Sequence, residues 1–259
     1  MDYPLPQAVR VESDGPVRIV RLARPEQLNA VNDELHLGLT RVFPLLSADP
    51  DARVAVITGE GRAFSAGGDF NLLERMVNDR ALRRDTIAEG RELVLNMIRC
   101  RIPVIAAVNG PAVGLGCSVI ALSDVVYMAE SAYLSDPHVA VGLVAADGGP
   151  ITWPLQTSLL LAKEYAFTGD RISAARAREI GLANHVCPDA EVFSTALAAA
   201  RRIASLPRQA VEATKRVLNL HVERAVLATI DFALSTESES FETDDLRANV
   251  TRFLERSSR

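Results

Sequence analysis

The chain has 259 residues, 48% of them apolar, 24% charged and 5% aromatic, with a formal net charge of −5. Charges of both signs are spread along it, which argues against the basic face of a nucleic-acid binder, and the few aromatics argue against a base-stacking platform. Cys100, Cys117 and Cys187, and His36, His138, His185 and His221, lie too far apart for metal-ligand spacing, and an odd cysteine count suits a reducing compartment better than a disulfide framework.

The first residues, Met1 to Gln7, carry two prolines and no apolar core of a signal peptide, so a cytoplasmic protein is expected. Val17, Ile19 and Leu22 alternate with Arg18 and Arg21 as in a half-buried strand. A helix is expected from Asp33, as N-cap, to Leu46. Val54 to Thr58, closed by Gly59 and Gly61, reads as a buried strand. Ala81 to Arg101 has helical spacing, stopped by Pro103. Val104 to Val108 reads as a second buried strand and Ala112 to Leu122 as a helix. The apolar stretch from Pro103 to Leu122 is broken by Asn109, Gly110 and Pro111, which argues against a membrane span. Short strands are expected at Val125 to Ala129 and Ala132 to Ser135, and none from Ile151 onward. Gly169 and Gly181 read as helix ends, and Pro207 as the opening of a helix. Ala196 to Ala204, Ala210 to Leu220, Ala225 to Leu234 and Leu246 to Leu254 are helix-like. Strands thus crowd the first half and helices the second, on one core with a helical extension.

Two small-residue loops follow the buried strands: Ala63 to Asp69, and Asn109 to Cys117. Small side chains let a ligand approach the backbone, and the second loop feeds a helix start whose N–H groups lack intrahelical partners. Two such amides converging on one carbonyl oxygen would form an oxyanion hole; tight packing of strand against helix is the plainer alternative. Neither loop completes a phosphate-binding P-loop or a dinucleotide fingerprint.

Arg24 to Ala30, Ala55 to Gly59, Ala63 to Asp69, Pro103 to Gly110, Thr168 to Ala174, Gly181 to Ala183 and Phe253 to Arg256 together resemble the enoyl-CoA hydratase/isomerase, or crotonase, superfamily, in family order. The resemblance implies an α/β spiral of ββα repeats over residues 1–200. It implies a helical trimerisation region over 201–259, packing on the core and on neighbouring subunits. It further implies a homotrimer or dimer of trimers, an acyl-CoA substrate whose coenzyme A replaces any separate cofactor, and no metal, nucleic-acid or membrane partner. Carried over by position, the oxyanion hole would use the backbone N–H of Ala66 and Leu115, and Ala66, Gly67, Gly68, Asp69 and Gly114 would line the substrate track. The family usually has glycine at the position of Leu115.

The departure lies at the acid/base positions, where hydratases of this family carry two glutamates and this chain has Ser118 and His138. Serine is a poor base, whereas histidine, with an ordinary pKa of about 6.5, can take or give a proton. Asp147, nine positions after His138, is the expected partner that would fix its tautomer; a turn residue before two glycines is the other reading. This His/Asp spacing, with Trp153-Pro154, also resembles the β-diketone hydrolase branch, which cleaves a carbon–carbon bond. Three functions therefore stand: an acyl-CoA hydratase or isomerase with His138 as proton carrier, a β-diketone hydrolase using His138 and Asp147, and a catalytically idle scaffold. Trp153 reads as packing, Asp69 as a loop-orienting residue, and Arg256 as part of a solvated charged face.

Overall fold

The structure, a computed structural model, describes residues 2–257 except Gly148, and only the backbone of Arg256 and Ser257. The reading of the Arg256 side chain, and the glycine that follows Asp147, lie outside the described residues.

β1 (Val9–Asp14) and β2 (Val17–Leu22) pair antiparallel around Gly15, whose φ of 55° suits the tight turn. Against the half-buried expectation, β2 is almost wholly buried, Arg18 included. Arg18 tolerates this because its Nε donates to Asp49 Oδ2 at 2.7 Å and to the Tyr3 hydroxyl at 3.0 Å. A 3-10 turn at Pro25–Gln27 precedes α1 (Asp33–Ala48). The cap of α1 is Asn32, whose side chain accepts the Leu35 N–H, and not Asp33, which begins the helix itself.

The chain continues through β3 (Val54–Gly59), α2 (Phe70–Asn78), α3 (Arg80–Arg99), β4 (Val104–Val108), β5 (Ala112–Val113), α4 (Leu115–Ala121), β6 (Val125–Ala129) and β7 (Tyr133–Ser135). Then follow α5 (His138–Val141), α6 (Gly149–Gln156), α7 (Leu159–Thr168), β8 (Ile172–Ser173), α8 (Ala174–Glu179), β9 (His185–Cys187), α9 (Val192–Ala204), α10 (Arg208–Ser240) and α11 (Asp244–Ser257).

The large sheet has the order β1-β2-β3-β4-β6-β9, parallel from β2 onward, and β5-β7-β8 form a small one. β4 and β6 each enter the large sheet and are followed by a strand of the small sheet and a helix, so the chain winds by a strand–strand–helix repeat. Isolated bridges Ser65↔Ala112 and Val31↔Gly68 extend the second layer through the loop after β3. β3 and β4 are buried at every residue, as their continuous apolar runs require.

Three expectations need correction. Strands do not end at Ile151: β8 and β9 follow, and β9 closes the large sheet by pairing with β6 through Tyr127↔His185. The helix expected at Ala112 starts at Leu115, because Ala112–Val113 pairs with β7 first. The two helices expected between Ala210 and Leu234 are one, since no glycine or proline interrupts them.

One apolar cluster joins the large sheet, α1, α3, α4, α9 and residues Val226, Ile230 and Leu234 of α10. α9 runs through residue 200, and α10 packs against α3 and α6. A smaller cluster, Leu72, Met76, Leu143, Phe241, Leu246 and Val250, joins α2 to the C-terminal helices. No helix among the described residues is long and apolar enough to cross a membrane.

Candidate active site

The loop after β3 is shaped from the 3-10 turn. Leu28 and Asn29 both take left-handed φ, 53° and 55°, a costly backbone for non-glycine residues. Asn29 offsets this with its side chain, which accepts the Arg24 N–H at 2.8 Å and donates to the carbonyls of Glu60 at 2.9 Å and Ala63 at 3.0 Å. Asn109, beyond β4, accepts the Gly59 N–H and donates to Gly61. These two asparagines fix the loop that carries Ser65 to Asp69.

Which amides of that loop remain open decides its chemistry. The Ala66 N–H donates to Leu28 O at 2.9 Å, so the expectation that Ala66 supplies an oxyanion donor is corrected. The Gly67 N–H donates to Ser65 Oγ and the Asp69 N–H to Val31 O. Gly68 is left, with no acceptor for its N–H among the described residues. On the second loop, the Gly114 N–H donates to Ser135 O at 3.0 Å. Leu115 opens α4, and the Pro111 carbonyl one turn back accepts the amides of Phe64 and Ser65 instead. The Leu115 N–H therefore has no intrahelical partner.

The two loops touch at glycines. A Cβ on Gly67 (φ 85°) would lie 2.8 Å from Val113 O, and one on Gly114 (φ 51°) would lie 3.6 Å from Gly67 Cα and 3.7 Å from His138 Cε1. Ala66, Gly67, Gly68, Gly114 and Leu115 all line one cavity of about 440 Å³, together with His138 and Asp147. Of the expected site residues Asp69 and Ser118 do not line it; Asp69 caps α2 by accepting the Asn71 N–H and pairs with Arg24 at 3.4 Å. Trp153 is buried in the main core and does not line the cavity. A larger apolar groove of about 610 Å³, between α10 and the β6 edge, contains none of these residues.

His138 begins α5, three residues past the end of β7, whose Ser135 carbonyl holds Gly114. The Nδ1–H of His138 donates to Asp136 Oδ1, not to Asp147 as the sequence led us to expect. Burial disfavours the charged imidazolium, but Asp136, then Asp147 and Glu237, more than offset it and raise the His138 pKa to about 10. The raised pKa favours the imidazolium form at neutral pH, and Nε2 has no partner among the described residues. Burial alone would raise the Asp136 pKa, yet the paired imidazolium holds it below the ordinary range. Asp147 instead accepts the Ser118 hydroxyl at 2.8 Å, and Ser118 is fully buried in the middle of α4. The Ser118 hydroxyl thus orients the Asp147 carboxylate. Burial and the carboxylates of Asp136 and Asp147 push the Cys117 thiol well up, so it is inert.

Glu237 of α10 was not foreseen. It lines the cavity, and its pKa rises to about 8 through burial and the Asp147 charge, against the pull of His138. The arrangement combines two open amides, an imidazolium donor, a carboxylate and a neutral carboxylic acid within apolar walls. No group of three metal-ligating side chains occurs among the described residues.

Residues 12–259 match the protein family described as enoyl-CoA hydratase/isomerase. The short-chain-enoyl-CoA hydratase of Clostridium acetobutylicum is 32% identical over 253 residues, covering 96% of this chain and 95% of the relative. A crystal structure of an enoyl-CoA hydratase/isomerase from Mycobacterium paratuberculosis superposes with a TM-score of 0.95 at 64% identity, covering 96% of this chain and all of that one. A β-diketone hydrolase from Anabaena sp. PCC 7120, bound to (S)-3-oxocyclohexyl acetic acid, superposes with a TM-score of 0.85 at 28% identity, covering 93% and 96%.

Proposed function

The chain belongs to the enoyl-CoA hydratase/isomerase family, and on that premise we propose that it adds water to, or shifts the double bond of, an enoyl-CoA thioester through a held enolate. Its mixed α/β architecture with a helical C-terminal region matches the crotonase fold. The observation that carries the reading is the pair of open amides, Gly68 and Leu115, in the wall of one cavity beside the imidazolium of His138.

The thioester oxygen accepts both amides, and their fixed dipoles stabilise the negative charge that develops on it. In hydration, the Asp147 carboxylate takes a proton from water as the oxygen adds to C3. The electron pair of the C2–C3 double bond moves to the thioester oxygen, and the His138 Nε2–H then protonates C2. The cycle closes when the proton on Asp147 is returned to His138. In isomerisation the same two groups carry one proton between C2 and C4. Ser118 positions the base and Asp136 the acid. Coenzyme A enters as part of the substrate, with no separate cofactor.

Assembly as a homotrimer or dimer of trimers belongs to the same proposal. Exposed Leu160, Phe167 and Phe232 supply apolar surface for it, and sedimentation tests it.

A second reading, carbon–carbon bond cleavage of a β-diketone, is favoured by the likeness to the Anabaena hydrolase. It needs His138 to begin as the base that activates water, and the Asp136 pair opposes that. A panel of crotonyl-CoA, a longer enoyl-CoA, a 3-enoyl-CoA and a cyclic β-diketone separates the readings. The account expects thioester turnover, lost by about a hundredfold or more in both His138→Gln and Asp147→Asn with the fold retained. Turnover of the diketone alone would transfer the assignment to the hydrolase reading, and no turnover with no thioester binding would favour an idle scaffold.

A further inference from the structure

Glu237, in the last turn of α10, lines the cavity together with Phe241, the residue that caps that helix four positions on. No step of the reaction above uses it. Its carboxyl group has no hydrogen-bond partner among the described residues, and the nearby wall is apolar: Leu72, Leu73, Met76, Val141, Leu143 and Phe241. Burial and the Asp147 charge keep it protonated at neutral pH, so it presents an O–H donor and not a carboxylate. A plain hydrocarbon chain would cover that donor and leave it unpaired, which is unfavourable, whereas an acceptor on the ligand would satisfy it. Glu237 lines the same cavity as His138, Asp147 and the two open amides, so its donor faces the space the acyl group would fill.

Resting on the thioester reading, we infer that the acyl group taken by this cavity carries an oxygen of its own, an oxo or hydroxyl group close to the thioester, that accepts the Glu237 carboxyl hydrogen. Glu237 is then a specificity-determining residue that separates oxygenated from plain acyl chains. A site built to hydrogen-bond one substrate oxygen discriminates strongly against the analogue lacking it.

The test is calorimetric titration of the full chain at pH 6.5 with butanoyl-CoA and 3-oxobutanoyl-CoA, which differ by one carbonyl. Wild type should bind the oxo compound about tenfold more tightly. Glu237→Gln should keep the preference, because its amide still donates, and Glu237→Leu should abolish it. Glu237→Met, apolar and of similar length, replaces the leucine variant if that one does not fold. No preference in wild type, its loss in the glutamine variant, or an undiminished preference in the apolar variant would overturn the inference. Binding of neither thioester would instead remove the thioester reading. The same comparison would then be run with cyclohexane-1,3-dione and cyclohexanone, and absence of a Glu237-dependent preference there would overturn the inference as well.

Discussion

Asp136 and His138 stand two residues apart, across Pro137, and the Asp136 Oδ1 accepts the imidazole Nδ1–H within the cavity wall. In the proposed mechanism this contact makes His138 the acid. It holds His138 charged, points Nε2 away from its partner, and leaves Asp147 to the Ser118 hydroxyl as a separate carboxylate.

Asp136→Asn should release the imidazole. Without the carboxylate, burial opposes the charge, and the His138 pKa should fall from about 10 to near or below its ordinary value of about 6.5. Nuclear magnetic resonance of the imidazole ring reads this directly. Turnover at pH 7 should fall about fourfold or more, the acid being mostly deprotonated; an unshifted titration would remove Asp136 from its role.

The same pair makes stability depend on pH. The raised pKa of His138 contributes stability that is whole below about 6.5 and is lost as pH rises through about 10. The lowered pKa of Asp136 contributes stability that is present above about 4 and is lost as pH falls. Denaturant unfolding should therefore separate wild type from Asp136→Asn most between about pH 4 and 6.5, with the gap narrowing toward pH 10. A gap independent of pH would contradict the linkage.

Arg18 tests stability away from the cavity. Arg18→Met leaves Asp49 buried and without its cation. The Arg18 and Tyr3 bonds hold the Asp49 carboxyl well below its ordinary range against the effect of burial. Burial and the bond to Asp49 raise the Tyr3 hydroxyl to about 12. The variant should lose about 3–5 kcal/mol, the usual cost of breaking a buried ion pair from one side. Turnover at temperatures where it remains folded should be unchanged, and an urea titration with an activity assay checks both.

Leu115→Gly keeps the amide and removes the side chain from the cavity wall. Turnover of a short thioester should stay within a few-fold, while kcat/KM for a bulkier acyl group rises, because the donor belongs to the backbone. A loss of a hundredfold on every substrate would mean that the leucine side chain itself holds the geometry.

The strands that frame the site are legible in the sequence because Val54–Gly59 and Val104–Val108 are apolar runs with glycine or proline at their ends. β9 is not legible, since its three residues include an exposed histidine and gain their partners only from the edge of β6. α2 carries a legible signal too: Asp69 as cap, then Leu72, Leu73 and Met76 at helical spacing. The position of His138 is legible, whereas its partner is not, because only the short turn through Pro137 lets Asp136 reach it. The choice between Ala66 and Gly68 as donor hangs on the Leu28 carbonyl, placed by two successive left-handed residues. Glu237 lies in a polar run from Ser235 to Ser240 that resembles solvated helix, and only the packing of α10 on α3 and α6, with α11 turned back onto α2, places it at the cavity.

A crystal structure of the full chain with a slowly reacting enoyl-CoA analogue examines the oxyanion site itself. The thioester oxygen should lie about 2.7–3.1 Å from both the Gly68 and Leu115 nitrogens, with His138 Nε2 facing C2. A thioester oxygen turned away from either amide, or an acyl chain bound outside this cavity, would contradict the account.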